Sequence, residues 1–329
     1  MISEKDFHSL IEKERKTIDA KLKKVLAKRK PRSLYEPSDY ILADQGKRLR
    51  PLLVLFSAKA AGGTYELAYN AALAVEMLHN FTLVHDDIMD NADKRRNKLT
   101  VHIKYDVNTA ILAGDGLLAV AYEYLLKDLI VPGNEVVKYF TKGLVEVCEG
   151  QSLDKEFELK KSVSISEYKI MITKKTAAMA EMCCAIGAQI GGGSTNEIKA
   201  LSLYGRNLGI AFQIQDDLLD IVGDENAFGK KIGGDLIEGK KTFLFLKALE
   251  KAKGKEKVSL EKIIVNKGIQ PDEVDDYKKL YQKLGVLEDA QKEIVKYTRK
   301  ALQQIIYIKN ESDKQLFTFL AHSLIKRTK

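Results

Sequence analysis

The sequence predicts an all-α protein, one large single-domain helical bundle through residues 1–329. Three observations carry that expectation. Only five prolines interrupt the chain, at positions 31, 37, 51, 132 and 271. The long intervals between them repeat apolar residues at the spacing of a helix face. No stretch shows sustained period-two alternation bounded by hairpin turns, the pattern of half-buried strands.

Taken in order, residues 3–30 place Phe7, Leu10, Ile11, Ile18, Leu22 and Val25 on one stripe among lysines and glutamates. "GKRLRP", Gly46 to Pro51, leads into a helix opened by its proline. Gly62-Gly63-Thr64 reads as a stop followed by an N-cap, opening a helix through Leu67, Ala71, Ala74, Val75 and Leu78. Further helices are expected near 108–128, 134–158, 166–190, 196–222, 235–252, 272–284, 286–308 and 312–326. The Gly191-Gly192-Gly193-Ser194 loop is the best linker candidate. An aspartate-rich motif lies on each side of it, so one bundle whose halves share a site is expected.

No apolar run approaches the ~18 residues of a spanning helix, so stable membrane insertion is not expected. The N-terminal "MISEKDFHSLIEKERK" has no apolar segment of a secretory signal, which suits a cytoplasmic protein. Cys148, Cys183 and Cys184 lack metal-ligand spacing and read as reduced, buried thiols. The net charge of +8 fits nucleic acid, an anionic membrane surface or a phosphorylated small molecule and does not choose among them.

"FTLVHDDIMD" (Phe81–Asp90) sets three aspartates in an apolar run, and "FQIQDDLLDI" (Phe212–Ile221) repeats the spacing. On a helix, Asp86 and Asp90 share a face with Asp87 beside them, and Asp216, Asp220 and Asp217 repeat the arrangement. Clustered carboxylates repel and need a cation. Mg2+ takes one or two carboxylates together with substrate phosphates. Two acidic helix faces would carry the same spacing on a bare surface, but the apolar flanks argue against that. An anion held there should also meet fixed cations. Lys47, Arg48 and Arg50 stand in GKRLRP, Arg95 and Arg96 follow the first motif, and Lys175-Thr176 lies between the motifs. "FGKKIGGDLIEGKKT" with Lys230, Lys240 and Lys241 follows the second. Guanidinium forks suit phosphate, and glycines let backbone approach it.

The ordered set GKRLRP, LVHDDIMD with its two arginines, EGQ, KT, FQIQDDLLD and GKKIGGD with GKK resembles the trans-isoprenyl diphosphate synthases, closest in pattern to archaeal-type short-chain (geranylgeranyl diphosphate) synthases. The resemblance implies the isoprenoid synthase fold with a central cavity, a homodimer, and three Mg2+ per active site with Mn2+ as the alternative. It implies metal ligation by Asp86, Asp90 and Asp216. Lys47, Arg50, His79 and Arg96 match positions that hold isopentenyl diphosphate. Arg95, Lys175, Thr176, Gln213, Lys230 and Lys240 match those that hold the allylic diphosphate, with Lys175, Thr176 and Gln213 catalytic. His79 on its own reads as a core histidine; only its place before Asp86 recommends it. Asn97 departs from the glycine usual after the two arginines, which puts the local turn in question.

The implied reaction is head-to-tail condensation of isopentenyl diphosphate with C5, C10 and C15 allylic diphosphates: ionisation, attack by the double bond, then proton loss. Water must be kept from the cation. Phe81, five residues before Asp86, lies roughly 7.5 Å deeper along the helix at 1.5 Å per residue. Thr82 and Leu78 lie below Asp86 on nearly one stripe. A helical wheel leaves Phe81 in the core or in the pocket; the resemblance makes it a floor. Phe81 followed by Thr82 resembles C20 synthases, with a farnesyl or mixed C15/C20 product as the alternative. A terpene cyclase normally replaces the second motif, and a silent partner subunit usually loses one; both motifs stand here. A nucleic-acid binder predicts aromatics between basic residues, and the chain has no Trp.

Overall fold

A computed structural model describes residues 4–44, 46–127, 134–223 and 232–325, and these are predominantly helical. Helix α1 (Glu4–Val25) buries Phe7, Ile18, Leu22 and Val25, ending at the last residue of the expected stripe. Helix α2 (Arg32–Leu42) has no forerunner in the sequence reading. Pro37 lies inside it, and an interior proline loses a backbone donor at a cost of about 3 kcal/mol. Only packing, seen in the burial of Ser38 and Leu42, offsets that. Helix α3 (Leu49–Ala60) buries Leu52, Leu53, Val54, Leu55 and Phe56, so it is a core helix rather than an amphipathic one.

The helix expected from Thr64 starts later. A 3-10 turn, Glu66–Ala68, precedes α4 (Tyr69–Met89), and Leu67 is 54% exposed rather than part of the buried stripe. Past α4 lies a hairpin too short for any periodicity, β1 (Lys94–Arg95) paired antiparallel with β2 (Lys98–Leu99). Its two loop residues, Arg96 and Asn97, have φ of 50° and 63°. A two-residue type I′ loop needs positive φ at both, and asparagine accepts it readily. Asn97 therefore does the work of the missing glycine. Helices α5 (Val101–Lys104) and α6 (Val107–Leu126) follow, with the Asp106 side chain accepting the Thr109 N–H at 2.8 Å as N-cap. Among the described helices, α6 alone has the length and apolar composition to cross a membrane. Its close approach to α4 is built in: a Cβ at Gly114 would stand 2.6 Å from His85 Nε2.

The chain divides into two compact units, one from Met1–Lys142, Met182–Ser202 and Ile306–Phe319, the other from Gly143–Glu181, Leu203–Ile305 and Leu320–Lys329. The triple-glycine segment proposed as a linker is internal to the first. A Cβ at Gly191 would lie 2.2 Å from the Ala58 carbonyl of α3, so the segment is a tight, packed turn.

The second unit is built on α8 (Ile165–Ile172) and the larger parts of α7 (Asn134–Leu159) and α10 (Thr195–Val222), whose N-terminal parts belong to the first, while α9 (Ala178–Ile190) passes into the first from Met182. Between α8 and α9 the chain passes through a π-helical turn, Thr173–Ala177. The core of this unit gathers Tyr168, Ile214, Leu218, Phe243, Phe245, Tyr281 and Val286. The segment expected as one helix over 235–252 is two, Gly234–Ile237 and Phe243–Lys251. Gly254–Asn266 is an unexpected helix that buries only Leu260 and Ile263. Val274–Leu284, Val286–Gln304 and Glu311–Ile325 complete the set. Cys183 and Cys184 are buried as expected; Cys148 is not, because it falls on the exposed face of α7.

Candidate active site

Both aspartate motifs end helices. Asp86 and Asp90 close α4, and Asp216, Asp217 and Asp220 stand near the end of α10; neither helix has a basic residue in its last turn. A helix C-terminus already carries partial negative charge. Carboxylates placed there add to that charge, and the arrangement favours a cation. Asp86 is half-exposed and Asp90 exposed, with the Asp90 N–H on the Asp86 carbonyl at 2.8 Å. Among the described residues no three carboxylate, imidazole or thiol side chains are gathered into a closed cage. This donor set fits Mg2+, which completes its shell with phosphate oxygens and water.

Asp87 points inward, 5% exposed. Its Oδ1 accepts from Arg95 Nε at 2.8 Å, with Arg95 Nη2 also 2.8 Å away. Burial pushes the Asp87 carboxyl up, and Arg95 opposes this. The neighbouring Arg96 Nη1 lies 3.1 Å from Asp44 Oδ2. Gly46 leaves Arg96 its room: a Cβ there would be 3.1 Å from Nη1. Arg50 Nη1 sits 3.1 Å from His79 Nε2. Burial, then the charges of Arg50, Arg96, Arg95 and Arg48, hold the His79 imidazole well below its ordinary range. It is neutral, and Nε2 accepts from Arg50. Lys47 is exposed on the turn before α3. The structure thus brings together Arg50 and His79, with Arg96 and Arg95 close enough to act on the same imidazole.

Arg48 departs from the sequence reading as a phosphate cation. It is 4% exposed and bound to Asp19 at 2.8 Å, to Glu76, and to the Leu42 and Asp44 carbonyls at 3.1 and 2.7 Å. All of its charge is turned into the protein. It clamps the turn that carries Lys47 and Arg50.

In the second unit, Lys175 and Thr176 lie in the π-turn, a feature frequent at functional sites. Two glycines let helices close on it. A Cβ at Gly150 of α7 would stand 2.1 Å from the Lys175 nitrogen, and one at Gly209 of α10 would stand 2.6 Å from Ala177 Cα. That is the physical content of the EGQ motif's glycine. Lys175 Nζ binds Asp154, Thr176 Oγ1 donates to Gln213 Oε1 at 2.8 Å, and Gln213 Nε2 donates to Asp217 Oδ1 at 3.0 Å. Lys240 Nζ is 2.6 Å from Glu238. Lys230 lies outside the described residues.

Asp217 is 4% exposed and also accepts from the Tyr168 hydroxyl at 2.5 Å and the Phe243 N–H at 2.9 Å. Burial, then the charge of Asp235, pushes its carboxyl up to about 7, against the pull of those donors. Asp216 is half-buried. Asp220 is buried and binds the 233–235 turn, its carbonyl taking the Gly233 N–H at 2.6 Å and its Oδ2 the Asp235 N–H at 3.1 Å.

Of the chain-length residues, Phe81 is 9% exposed, its ring 4.6 Å from that of His85. The Thr82 hydroxyl turns back to the His79 carbonyl at 2.8 Å. Leu78 is fully buried. The sequence reading missed Tyr168, Asp44, Asp154 and the Arg48 clamp, whose partners are remote in sequence. It also gave Gln151 no role; its amide nitrogen and oxygen are both buried without a partner among the described residues.

Residues 31–284 match the polyprenyl synthetase family. The geranylgeranyl diphosphate synthase of Sulfolobus acidocaldarius is 40% identical over 302 residues, 90% of this chain and 91% of that one. The crystal structure of geranylgeranyl pyrophosphate synthetase from Pyrococcus horikoshii matches with a TM-score of 0.92 at 38% identity, covering 98% of this chain and 99% of that one. The polyprenyl synthase of Caulobacter crescentus, complexed with calcium and isoprenyl diphosphate, matches with a TM-score of 0.90 at 26% identity, covering 98% and 97%.

Proposed function

The chain belongs to the polyprenyl synthetase family, and from that premise we propose that it condenses isopentenyl diphosphate with C5, C10 and C15 allylic diphosphates to geranylgeranyl diphosphate. The whole chain is taken as a single synthase domain. The observation that carries the reading is the way its cations are held. Arg95, Arg96, Lys175 and Lys240 each rest on a carboxylate, Asp87, Asp44, Asp154 and Glu238, so each is oriented before any phosphate arrives. Within each unit such cations accompany an acidic helix end, a combination that suits metal and diphosphate. The C20 product is supported by Phe81-Thr82 before Asp86 and by the similarity to archaeal geranylgeranyl diphosphate synthases.

Asp86, Asp90 and Asp216 would hold Mg2+, three ions in all, which when bound supplies Lewis-acid charge to the allylic diphosphate. Lys47, Arg50, neutral His79 and Arg96 bind isopentenyl diphosphate. Arg95, Lys175, Lys230 and Lys240 bind the allylic diphosphate and stabilise it as its C–O bond breaks. Thr176 donates its hydrogen bond to Gln213, so its oxygen lone pairs are left for the electron-poor allylic carbons. The new C–C bond forms from the double bond of isopentenyl diphosphate, and the departing diphosphate takes the proton. We propose a cytoplasmic homodimer, supported by Ile111 and Leu112, which are 40% and 60% exposed on apolar α6. Light scattering that returns a single 36.9 kDa chain would overturn the dimer.

The experiment incubates the protein with Mg2+, isopentenyl diphosphate and each primer, then sizes the dephosphorylated alcohols for wild type and Phe81→Ala. A C20 alcohol that lengthens in the variant is expected. A C15 main product would favour the farnesyl alternative, and C20 unchanged in the variant would move the floor elsewhere. No condensation with any primer would sink the function.

A further inference from the structure

Tyr168 is 2% exposed on α8, and its hydroxyl donates to Asp217 Oδ2 at 2.5 Å. A core tyrosine is ordinarily satisfied by any nearby carbonyl. Here its acceptor is the central carboxylate of an aspartate motif, and what that carboxylate does next has a direction. Oδ2 accepts from Tyr168 and from the Phe243 N–H at 2.9 Å, while Oδ1 accepts from Gln213 Nε2 at 3.0 Å. With both oxygens engaged as acceptors, Gln213 turns its NH2 toward Asp217 and its carbonyl toward Thr176. Thr176 then donates its one proton to Gln213 Oε1, at 2.8 Å. The chain Tyr168–Asp217–Gln213–Thr176 has a single sense, and it ends on a hydroxyl oxygen with its lone pairs free to face a ligand.

We propose that Tyr168 is a positioning residue for the prenyl-transfer step: it fixes the Asp217 carboxylate, which fixes the Gln213 amide and so the direction in which Thr176 offers its oxygen. This rests on the reading that Thr176 and Gln213 face the reacting carbons. Phe243 alone cannot do the same. It is a backbone donor to one oxygen, and without the phenol that oxygen is held by a single bond, about which the carboxylate can rotate. Asp217 still takes the Gln213 NH2, having only acceptors to offer, but the rotation shifts the amide and with it the Thr176 oxygen. Binding of isopentenyl diphosphate is assigned to Lys47, Arg50, His79 and Arg96 rather than to these residues, so the effect belongs in turnover rather than in that KM.

Tyr168→Phe keeps the ring and removes the donor. The expected result is a kcat about ten-fold lower, with the KM for isopentenyl diphosphate within about two-fold of wild type. Tyr168→Phe combined with Gln213→Ala should be no slower than Gln213→Ala alone, because both act through one group. A core residue with a merely structural role would lower stability and give multiplying losses. Placing 4-aminophenylalanine at 168 keeps the shape with a weaker donor and should give an intermediate kcat, again lost in the Gln213→Ala background. It supplies the same test if Tyr168→Phe does not fold. A wild-type kcat in the folded variants, or losses that multiply, would overturn the inference while leaving the synthase intact. A wild-type enzyme that condenses nothing would instead overturn the function from which it starts.

Discussion

Asp87 and Asp217 hold the same place in their motifs and are buried alike, at 5% and 4% exposed, yet they are satisfied by different physics. Asp87 is neutralised by a cation, Arg95. Asp217 collects three neutral donors, Tyr168, Gln213 and Phe243. Ionic pairing is tolerant of geometry and sensitive to salt; a hydrogen-bonded carboxylate is the reverse. The difference teaches that equal spacing assigns equal places on a helix and nothing more. In each motif the central aspartate faces the protein, and the outer ones differ again, since Asp220 binds a turn whereas Asp90 is exposed.

The largest expected effect separates outer from central residues. Asp86→Asn and Asp216→Asn should each lower kcat about a thousandfold, the order of losing one charge-stabilising group, and leave thermal unfolding within about 2 °C of wild type. Steady-state rates at saturating Mg2+ and substrates check this. Unfolding as severe as the loss of rate would mean that these aspartates, too, are structural.

Next come the two central residues compared with each other. Asp87→Asn leaves Arg95 without its partner, and Asp217→Asn brings an amide N–H against donors; each should cost about 2 kcal/mol. They should part in salt. Arg95 is 35% exposed at its side chain, so the cost at position 87 should shrink between 0.05 and 0.5 M NaCl by about half, given the Debye length. The cost at position 217 should not move. Urea unfolding at both salts measures this, and equal responses would erase the contrast.

How much of this the sequence could carry depends on range. The Asp-x-x-x-Asp spacing within one helix, the stop at Gly62 and the apolar run of α4 are local, and they are legible. So were Thr176 and Gln213 as candidates, though only through the resemblance. The partners of the central aspartates were not, because Tyr168 lies 49 residues before Asp217 in sequence, and no periodicity links them. Arg48 looked like one more cation in GKRLRP until burial turned it into a clamp on Asp19 and Glu76. Helix α2 was hidden by Pro37, where local propensity says stop and packing overrides it. The hairpin at Arg95 was hidden by its own brevity.

A smaller effect uses pH, with His79→Asn isolating the share of the first region, because the Asp217 carboxyl in the second, pushed up to about 7, titrates in the same range. The His79 pKa in the folded chain lies well below the ordinary 6.5. Below that value the unfolded chain binds a proton that the folded chain refuses. The His79 contribution to stability is therefore full above pH 6.5 and lost as pH falls past it, by up to about 1.4 kcal/mol per pH unit. His79→Asn should remove that loss, so that the stability of the variant relative to wild type rises as pH falls from 7 to 5. Parallel curves would mean that the imidazole is already charged, and that Arg50 is not its donor.

The smallest effect concerns how the first region aims its arginines. Arg95 ends β1, and Arg96 shares the left-handed loop with Asn97, at φ of 50° and 63°. Asn97→Gly suits that backbone at least as well, so stability should change by less than about 0.5 kcal/mol, with the KM for isopentenyl diphosphate unchanged. Asn97→Val forces a branched side chain into the left-handed region at about 1–2 kcal/mol. The strain is relieved most easily by opening the hairpin, which moves Arg96 off Asp44 and Arg95 off Asp87. The KM should then rise while activity at saturation is largely kept. A valine variant with unchanged KM would show that the carboxylates hold both arginines without help from the turn, which would make ion pairing sufficient in this region.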